Sequence, residues 1–501
     1  MDTRENARYL PDWLARCAAN APLRLAVQDE HTRWSFADLD REASRIARQI
    51  ATLSVQAGDR VALLASNSSA YVAFVHALTR LGAILVPLNA RLTQDELCWQ
   101  VRDVRASLLV SDARYASTAA AIGRAMPDLP RATLAEAADD DTAIIGTMPE
   151  ADVALRSLID LDATQAIMYT SGTTGQPKGA LITYGMQWWN AVGSALNLGH
   201  TPDDRWLACL PLFHIGGLSI LMRSVIYGIS VIVHERFDAA AVNRSIAEDG
   251  VTMISVVAVM LQRMLDAQSD NDYPPALRCV LLGGGPAPQS LLEECARRRV
   301  PVVQTYGLTE SCSQAVTLAP GDALRKLGSA GRPLLPVQLR IMREEQEAQA
   351  GEPGEIYLRG PTITPGYADR PEATARAFHD GWLATGDIGY LDSEGYLYVL
   401  DRRADLIISG GENVYPAEIE SVLLSHPDVA ESGVRGQPDD QWGQVPVAFV
   451  HLRKGSAVTA NELLAFAGQR LARYKLPRVI HLVGPLPRTS SGKLLRRALR
   501  V

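Results

Sequence analysis

Tyr169-Thr-Ser-Gly-Thr-Thr-Gly-Gln-Pro-Lys-Gly179 decides how the rest of the chain is read. The apolar run Ala166-Ile167-Met168-Tyr169 ahead of it predicts a short buried strand. After the strand come the hydroxyls of Thr170, Ser171, Thr173 and Thr174, the glycines Gly172, Gly175 and Gly179, and Lys178. Glycine lets a backbone approach a ligand closely. Successive backbone N–H groups in such a turn make a concave anion site. Hydroxyl donors and one ammonium, with no carboxylate among them, suit a polyphosphate. The order is not that of a Walker A loop, because Pro177 precedes the lysine and no Ser or Thr follows it.

Upstream, strands and helices alternate. Ser35-Phe-Ala-Asp38 predicts a capped helix running towards Leu53. Arg60–Ala65 reads as a buried strand, Ala70–Leu81 as an apolar helix ending near Gly82, and Ala83–Pro87 and Ser107–Ser111 as further strands. The small, acidic stretch from Ala135 to Asp141 reads as an exposed connection. Downstream, Arg278–Leu282 leads into Gly283, Gly284, Gly285, Pro286 and Ala287. Val302-Val-Gln304-Thr305 leads into Tyr306 and Gly307. Such alternation implies doubly wound, mostly parallel sheets, whose ligands lie beyond the C-terminal ends of the strands. Both glycine turns fall where a nucleotide would bind. From about Leu327 to Val399 the chain changes to short strands and Gly/Pro turns, the pattern of a small barrel or sandwich. A shorter α+β stretch follows, with a helix at Glu418–Ser425 and a strand at Val445–His451. The expected fold is α/β: a large N-terminal domain (1–401) of doubly wound sheets plus a small β-barrel, and a smaller α+β C-terminal domain (402–501).

Bulk properties narrow the function. The 501 residues are 47% hydrophobic and 21% charged, ordinary values for a soluble globular protein. The formal charge of −7 argues against general nucleic-acid binding. The first residues lack the apolar core of a signal peptide, and no apolar run is long enough to span a membrane. Cys17, Cys98, Cys209, Cys279, Cys295 and Cys312 are scattered, and read as reduced core thiols of a cytoplasmic protein. A homo-oligomer is compatible with the sequence. From Arg470 to Arg500 there are nine Lys/Arg and no Asp/Glu. Nucleic acid or an anionic membrane could take such a tail, but Pro487-Arg-Thr-Ser-Ser-Gly-Lys493 reads better as a tight loop delivering a lysine to an anionic substrate.

The phosphate loop resembles that of the adenylate-forming superfamily: acyl-CoA synthetases, peptide-synthetase adenylation domains and luciferases. The resemblance continues in order through Pro211-Leu-Phe-His214, Gly283-Gly-Gly-Pro-Ala287, Gln304-Thr-Tyr-Gly-Leu-Thr-Glu310, Thr385-Gly-Asp387, Asp401-Arg-Arg403 and Pro487–Lys493, nearly the whole chain. It implies ATP, Mg²⁺ and CoA as cofactor and co-substrates. It also implies a C-terminal domain that rotates between adenylation and thioester formation. Thr170 to Lys178 would hold the β- and γ-phosphates. Glu310, with Thr170 and with Thr309 beside it, would hold the metal; alone, Glu310 could be a surface acid. Tyr306 would stack on adenine, Gly284 to Ala287 would line its edge with Gln304, Thr305 and Gly307 nearby, and Asp387, helped by Arg402, would take the ribose hydroxyls. An Asp after Gly386 could equally be a turn residue. Lys493 would bridge the substrate carboxylate and the adenylate phosphate, a task for a compact charge on a flexible stem. Ser409, Gly410, Gly411 and Trp442 would face CoA. At the hinge, Ala404 stands where the family has Asp or Lys.

Within the superfamily, Thr183–Leu198, Phe213–Gly228, Gln304–Gln314 and Leu324–Gly331 look like the o-succinylbenzoate–CoA ligases of menaquinone synthesis. That acid keeps a second carboxylate free. Arg223, in an apolar run, would either meet it or be a snorkelling or internally paired cation. His214 would orient the acyl group or is a packing histidine. Gly216 departs from the expected Ser in the substrate pocket. The rival readings are a ligase for another aromatic or medium-chain acid, an adenylation module loading a carrier protein, and a luciferase-like oxygenase.

Overall fold

The computed structural model describes residues 8–134, 141–170, 177–268, 272–284, 287, 289–343, 345–402, 407–414, 416–487 and 496–500. The expected connection at 135–140, the loop at 171–176, Gly285, Pro286, Ala404 and Lys493 therefore lie outside the described residues.

Two sheets form the large domain. One has seven strands in the order 178–183, 164–170, 84–87, 60–64, 108–111, 131–133, 143–144; its only antiparallel ladder among the described residues is the 164–170/178–183 hairpin. The other has nine, with a parallel centre of 302–306, 279–282, 253–256, 205–208, 230–233 and 25–28. Of these, 230–233, 253–256 and 279–282 are buried end to end, as expected of parallel sheets covered on both faces. The largest core cluster joins both sheets. It contains Val61, Leu63 and Leu85 from one, Trp206, Val231 and Leu281 from the other, and the apolar faces of helices Phe36–Ala51, Ser69–Leu81 and Ile215–Tyr227.

Local signals act as expected. Ser35 and Asp38 close a reciprocal capping box. Gly82 ends its helix at φ 74°, in the left-handed region that favours glycine. The strand-and-turn stretch forms a six-stranded antiparallel sheet in which 354–359 and 397–402 flank the long strand Trp382–Leu391. Its described ladders do not close as a full barrel; a bridge between Gly331 and Leu397 ties it to strands 316–317 and 332–333. The ladder runs through Arg402, opposite Asp387, one residue past the expected boundary. The small domain's sheet begins at Ile407 and pairs 412–414, 407–409, 443–452, 429–439 and 479–482. With helices Pro416–Leu424 and Ala460–Gly468 it encloses a core of its own, including Ile407, Ile419, Leu423, Val434, Val450 and Leu463.

Among the described residues no helix is long and apolar enough to cross a membrane. All six cysteines are free and buried, and burial pushes the thiols of Cys209, Cys279 and Cys312 up to about 12, so they are inert packing groups.

Candidate active site

A cavity of about 820 Å³ opens beyond the C-terminal ends of strands 164–170, 205–208, 253–256, 279–282 and 302–306, and the small domain closes one side of it. Parallel topology sends every one of these strands into a turn on the same edge, so residues distant in sequence converge there.

Thr170 and Lys178 face each other across the hairpin ladder, so the phosphate loop is the hairpin's tip. The Thr170 hydroxyl lies 3.4 Å from Glu310 Oε1, to which Tyr367 also donates its hydroxyl at 3.0 Å. The Lys178 ammonium sits 5.3 Å over the Tyr367 ring. Burial and the neighbouring Arg376 pull its pKa below the ordinary lysine value, and Glu310 only partly offsets them. Among the described residues no hydrogen bond reaches Glu310 Oε2, and none of them forms a cluster of three or more His, Cys, Asp or Glu around a metal. A single carboxylate beside hydroxyls and a phosphate loop fits Mg²⁺, which takes most of its ligands from water and phosphate.

Gly284 turns at φ 81°, and a Cβ there would come within 2.9 Å of Val257 Cγ1. At Gly307 a Cβ would stand 1.5 Å from the Ser313 carbonyl oxygen, so no side chain fits. Gln304 and Thr305 spend their polar groups on the sheet, Gln304 donating to the Ser329 carbonyl (3.0 Å) and Thr305 to that of Val316 (3.0 Å). Thr305, Gly307, Thr309 and Asp387 line the cavity. Tyr306 differs from expectation. Its ring is 6% exposed, inside the apolar cluster of the six-stranded sheet, and its hydroxyl donates to Asp387 Oδ2 at 2.7 Å. In this arrangement it fixes Asp387, and it is not among the residues that line the cavity. Of Arg402 the described part is its strand position, directly opposite Asp387.

Arg223 lines the same cavity and is 2% exposed. Its Nη2 donates to Asn190 Oδ1 at 2.5 Å, and Asn190 is itself fixed by donating to the Gln314 carbonyl at 2.7 Å. The guanidinium lies 5.3 Å over the Trp206 ring. No carboxylate pairs with it among the described residues, Nε has no hydrogen-bond partner there, and burial lowers its pKa. The snorkelling and ion-paired alternatives are thus removed. Asn190 sits in a stretch already singled out, but nothing in its spacing pointed to Arg223. Gly216 also lines the cavity, and a Cβ there would meet Leu210 only at 3.4 Å, an ordinary contact, so the fold would accommodate the Ser expected at this position.

His214 precedes helix Ile215–Tyr227 and is half exposed, with Nε2 3.3 Å from Glu412 Oε2 of the small domain. Arg91 pairs with the other oxygen of that carboxylate. Burial opposes ionisation of Glu412, but His214, Arg91 and Lys475 together hold its pKa below the usual value. Gly410 and Gly411 adopt φ 58° and 82° and line the cavity. A Cβ on Gly410 would strike the Trp442 ring at 2.6 Å, and one on Gly411 would reach Val257 Cγ2 at 3.1 Å. Ser409 pairs with Gly443, next to Trp442. The four expected CoA-facing residues are therefore gathered in one turn pair.

Comparison with known proteins agrees with this geometry. The 2-succinylbenzoate–CoA ligase of Geobacillus kaustophilus is 50% identical over 491 residues, 98% of this chain and 97% of that protein. A double mutant of o-succinylbenzoate CoA synthetase from Bacillus subtilis, bound with its product analogue OSB-NCoA, superposes with a TM-score of 0.91 at 45% identity, covering 98% of each chain. The same enzyme in complex with ATP and magnesium ion, also 45% identical and covering 98% of this chain and 99% of that one, gives 0.74. The model of the AMP-binding enzyme family matches residues 14–368 and that of the AMP-binding enzyme C-terminal domain residues 418–493, and the chain belongs to this family of adenylate-forming enzymes.

Proposed function

We propose that the protein is an AMP-forming acid–CoA ligase that activates 2-succinylbenzoate with ATP and transfers the acyl group to CoA, in menaquinone synthesis. The observation that carries the choice of acid is Arg223: a buried cation on the cavity wall with no resident carboxylate. Such a charge is costly to hold unless something pairs with it, and the second carboxylate of the substrate supplies the anion.

In the first half-reaction the succinyl carboxylate attacks the α-phosphorus, and the bond to the β-phosphate breaks. Both reactants are anions, so the site must hold them together and neutralise charge on the phosphate oxygens. Thr170, Lys178 and the loop between them bind the departing pyrophosphate. Glu310 and Thr170 would hold Mg²⁺, which when bound would neutralise charge on the phosphate oxygens. Asp387, held by Tyr306, accepts from the ribose. Lys493, carried by a mobile small domain, bridges the substrate carboxylate and the α-phosphate. In the second half-reaction the CoA sulfur attacks the acyl carbon, the carbon–oxygen bond to the phosphate breaks, and AMP leaves. The Gly410–Glu412 turn and Trp442 line the thiol's approach, and His214, backed by Glu412, orients the acyl group.

The test is a panel of carboxylic acids with ATP, Mg²⁺ and CoA. AMP, pyrophosphate and a thioester are expected with 2-succinylbenzoate, at higher kcat/KM than with benzoate or medium-chain acids. Release of ADP and phosphate, or equal turnover of the simple monocarboxylates, overturns the reading.

A further inference from the structure

The small domain meets the large one through charged side chains, and one set of them is buried. Lys475 is 4% exposed and donates to Glu418 Oε1 of its own domain at 2.7 Å and to Glu96 Oε1 of the large domain at 2.9 Å. Glu96 uses its other oxygen locally: Oε2 accepts from the Thr93 N–H (2.8 Å) and hydroxyl (2.9 Å), closing the capping box of helix Gln94–Asp103. One carboxylate thus ties a helix N-terminus to an ammonium 379 positions later in the chain. Nearby, Asn89 donates to the Tyr474 hydroxyl at 3.2 Å, and Arg91 pairs with Glu412. Burial opposes the charge on Lys475, but Glu418, Tyr474 and Glu96 outweigh it and hold the ammonium above the ordinary lysine range. Glu96 does not line the cavity. The domain arrangement containing this contact matches the relative's product-analogue complex more closely than its ATP–magnesium complex.

We propose that Glu96 is a positioning residue for thioester formation: through Lys475 it seats the small domain so that the Gly410–Glu412 turn closes the cavity while CoA attacks. The contact spans the two domains and belongs to the arrangement seen on the product side, so the second half-reaction depends on it and the first does not. The inference rests on the functional reading above, and the two fail separately in the same experiment. ATP–pyrophosphate exchange with 2-succinylbenzoate reads the first half-reaction. A single turnover of supplied 2-succinylbenzoyl adenylate with CoA reads the second. Wild-type protein that shows no exchange with this acid overturns the functional reading before any variant is made.

Glu96→Gln keeps the helix cap through its amide oxygen, since Gln serves at that position of a capping box, and turns an NH2 group instead of an acceptor towards Lys475, so the charge and the bond to Lys475 are lost together. Loss of a hydrogen bond to a charged group corresponds to roughly one decade in rate, about 1.4 kcal/mol. The thioester step of E96Q is therefore expected to fall about ten-fold, with exchange kept at the wild-type rate. Glu96→Lys, which sets a like charge against Lys475, deepens the thioester loss and again spares exchange. An equal fall in both half-reactions of E96Q makes Glu96 a folding residue and overturns the inference. So does an unchanged thioester rate.

Discussion

Lys178 and Arg223 line one cavity, yet they are held in opposite ways. Lys178 stands at a hairpin tip, partly buried, above the Tyr367 ring and near the resident acid Glu310. Arg223 is enclosed by a helix, fixed by a neutral amide and an indole, and faces no acid among the described residues. A cation at the mouth of a hairpin, near a carboxylate but not paired with it, can take up a new anionic partner and release it, which suits a polyphosphate that arrives and leaves in each cycle. A desolvated cation without an anion is selective. It favours a ligand that brings a negative charge to that spot and disfavours one that does not. In the proposed function the first serves the polyphosphate and the second the choice of acid.

The largest expected effect comes from a third cation that acts on the transition state instead of on either ground state. Lys493→Ala is expected to slow adenylation at least ~10²-fold, the loss typical of an electrostatic stabiliser. Thioester formation from supplied adenylate should suffer far less. Equal loss in both steps would assign Lys493 to folding and leave the comparison with two members.

Arg223→Ala comes next. Loss of a charge-assisted partner in a poorly solvated site costs about 1.5–3 kcal/mol. At roughly 1.4 kcal/mol per decade, kcat/KM for 2-succinylbenzoate should fall about ten- to a hundred-fold. A monocarboxylate analogue should lose little. If both acids fall by the same factor, Arg223 is a packing residue and the contrast with Lys178 has no bearing on specificity.

The smallest effect is a pH limb. Burial, then Arg376, depresses the pKa of Lys178. Its ammonium is therefore lost as pH rises through a value below the ordinary lysine pKa of about 10.4. The profile of kcat/KM for ATP reports the free enzyme, so it should bend down on the alkaline side, earlier than an unperturbed lysine would dictate. Lys178→Arg, which stays protonated, should remove that bend. A bend of the same midpoint in the variant would assign it to another group.

Much of this was legible in the residues because local rules decided it. Capping at Ser35, termination at Gly82 and the buried strands before Gly283 and Tyr306 all depend on neighbours close in sequence. The motifs also pointed to residues that folding gathers around one cavity, Thr170, Lys178, Asp387, Gly410 and Gly411 among them. What escaped depends on partners brought together by folding. Asn190 reaches Arg223 across two helices, Tyr367 caps Glu310 from 57 positions away, and Glu96 meets Lys475 only once both domains have formed. A surface acid in a capping box carries no mark of a second role. The bond from Tyr306 to Asp387 escaped for a related reason: the motif sets the residue's place in the chain, while the packing of the six-stranded sheet decides which way its ring lies.

Val257 carries a consequence of another kind. One of its methyl groups abuts the position where Gly284 lacks a Cβ, and the other abuts Gly411 of the small domain. The side chain is a spacer between two backbones, one shaping the nucleotide wall and one belonging to the closing turn. Because each methyl is already near contact distance, a bulkier residue at 257 must displace one backbone or both, and a smaller one loosens both together. A change at Val257 is thereby felt on both sides at once, at the glycine turn of the cavity wall and at the turn of the small domain.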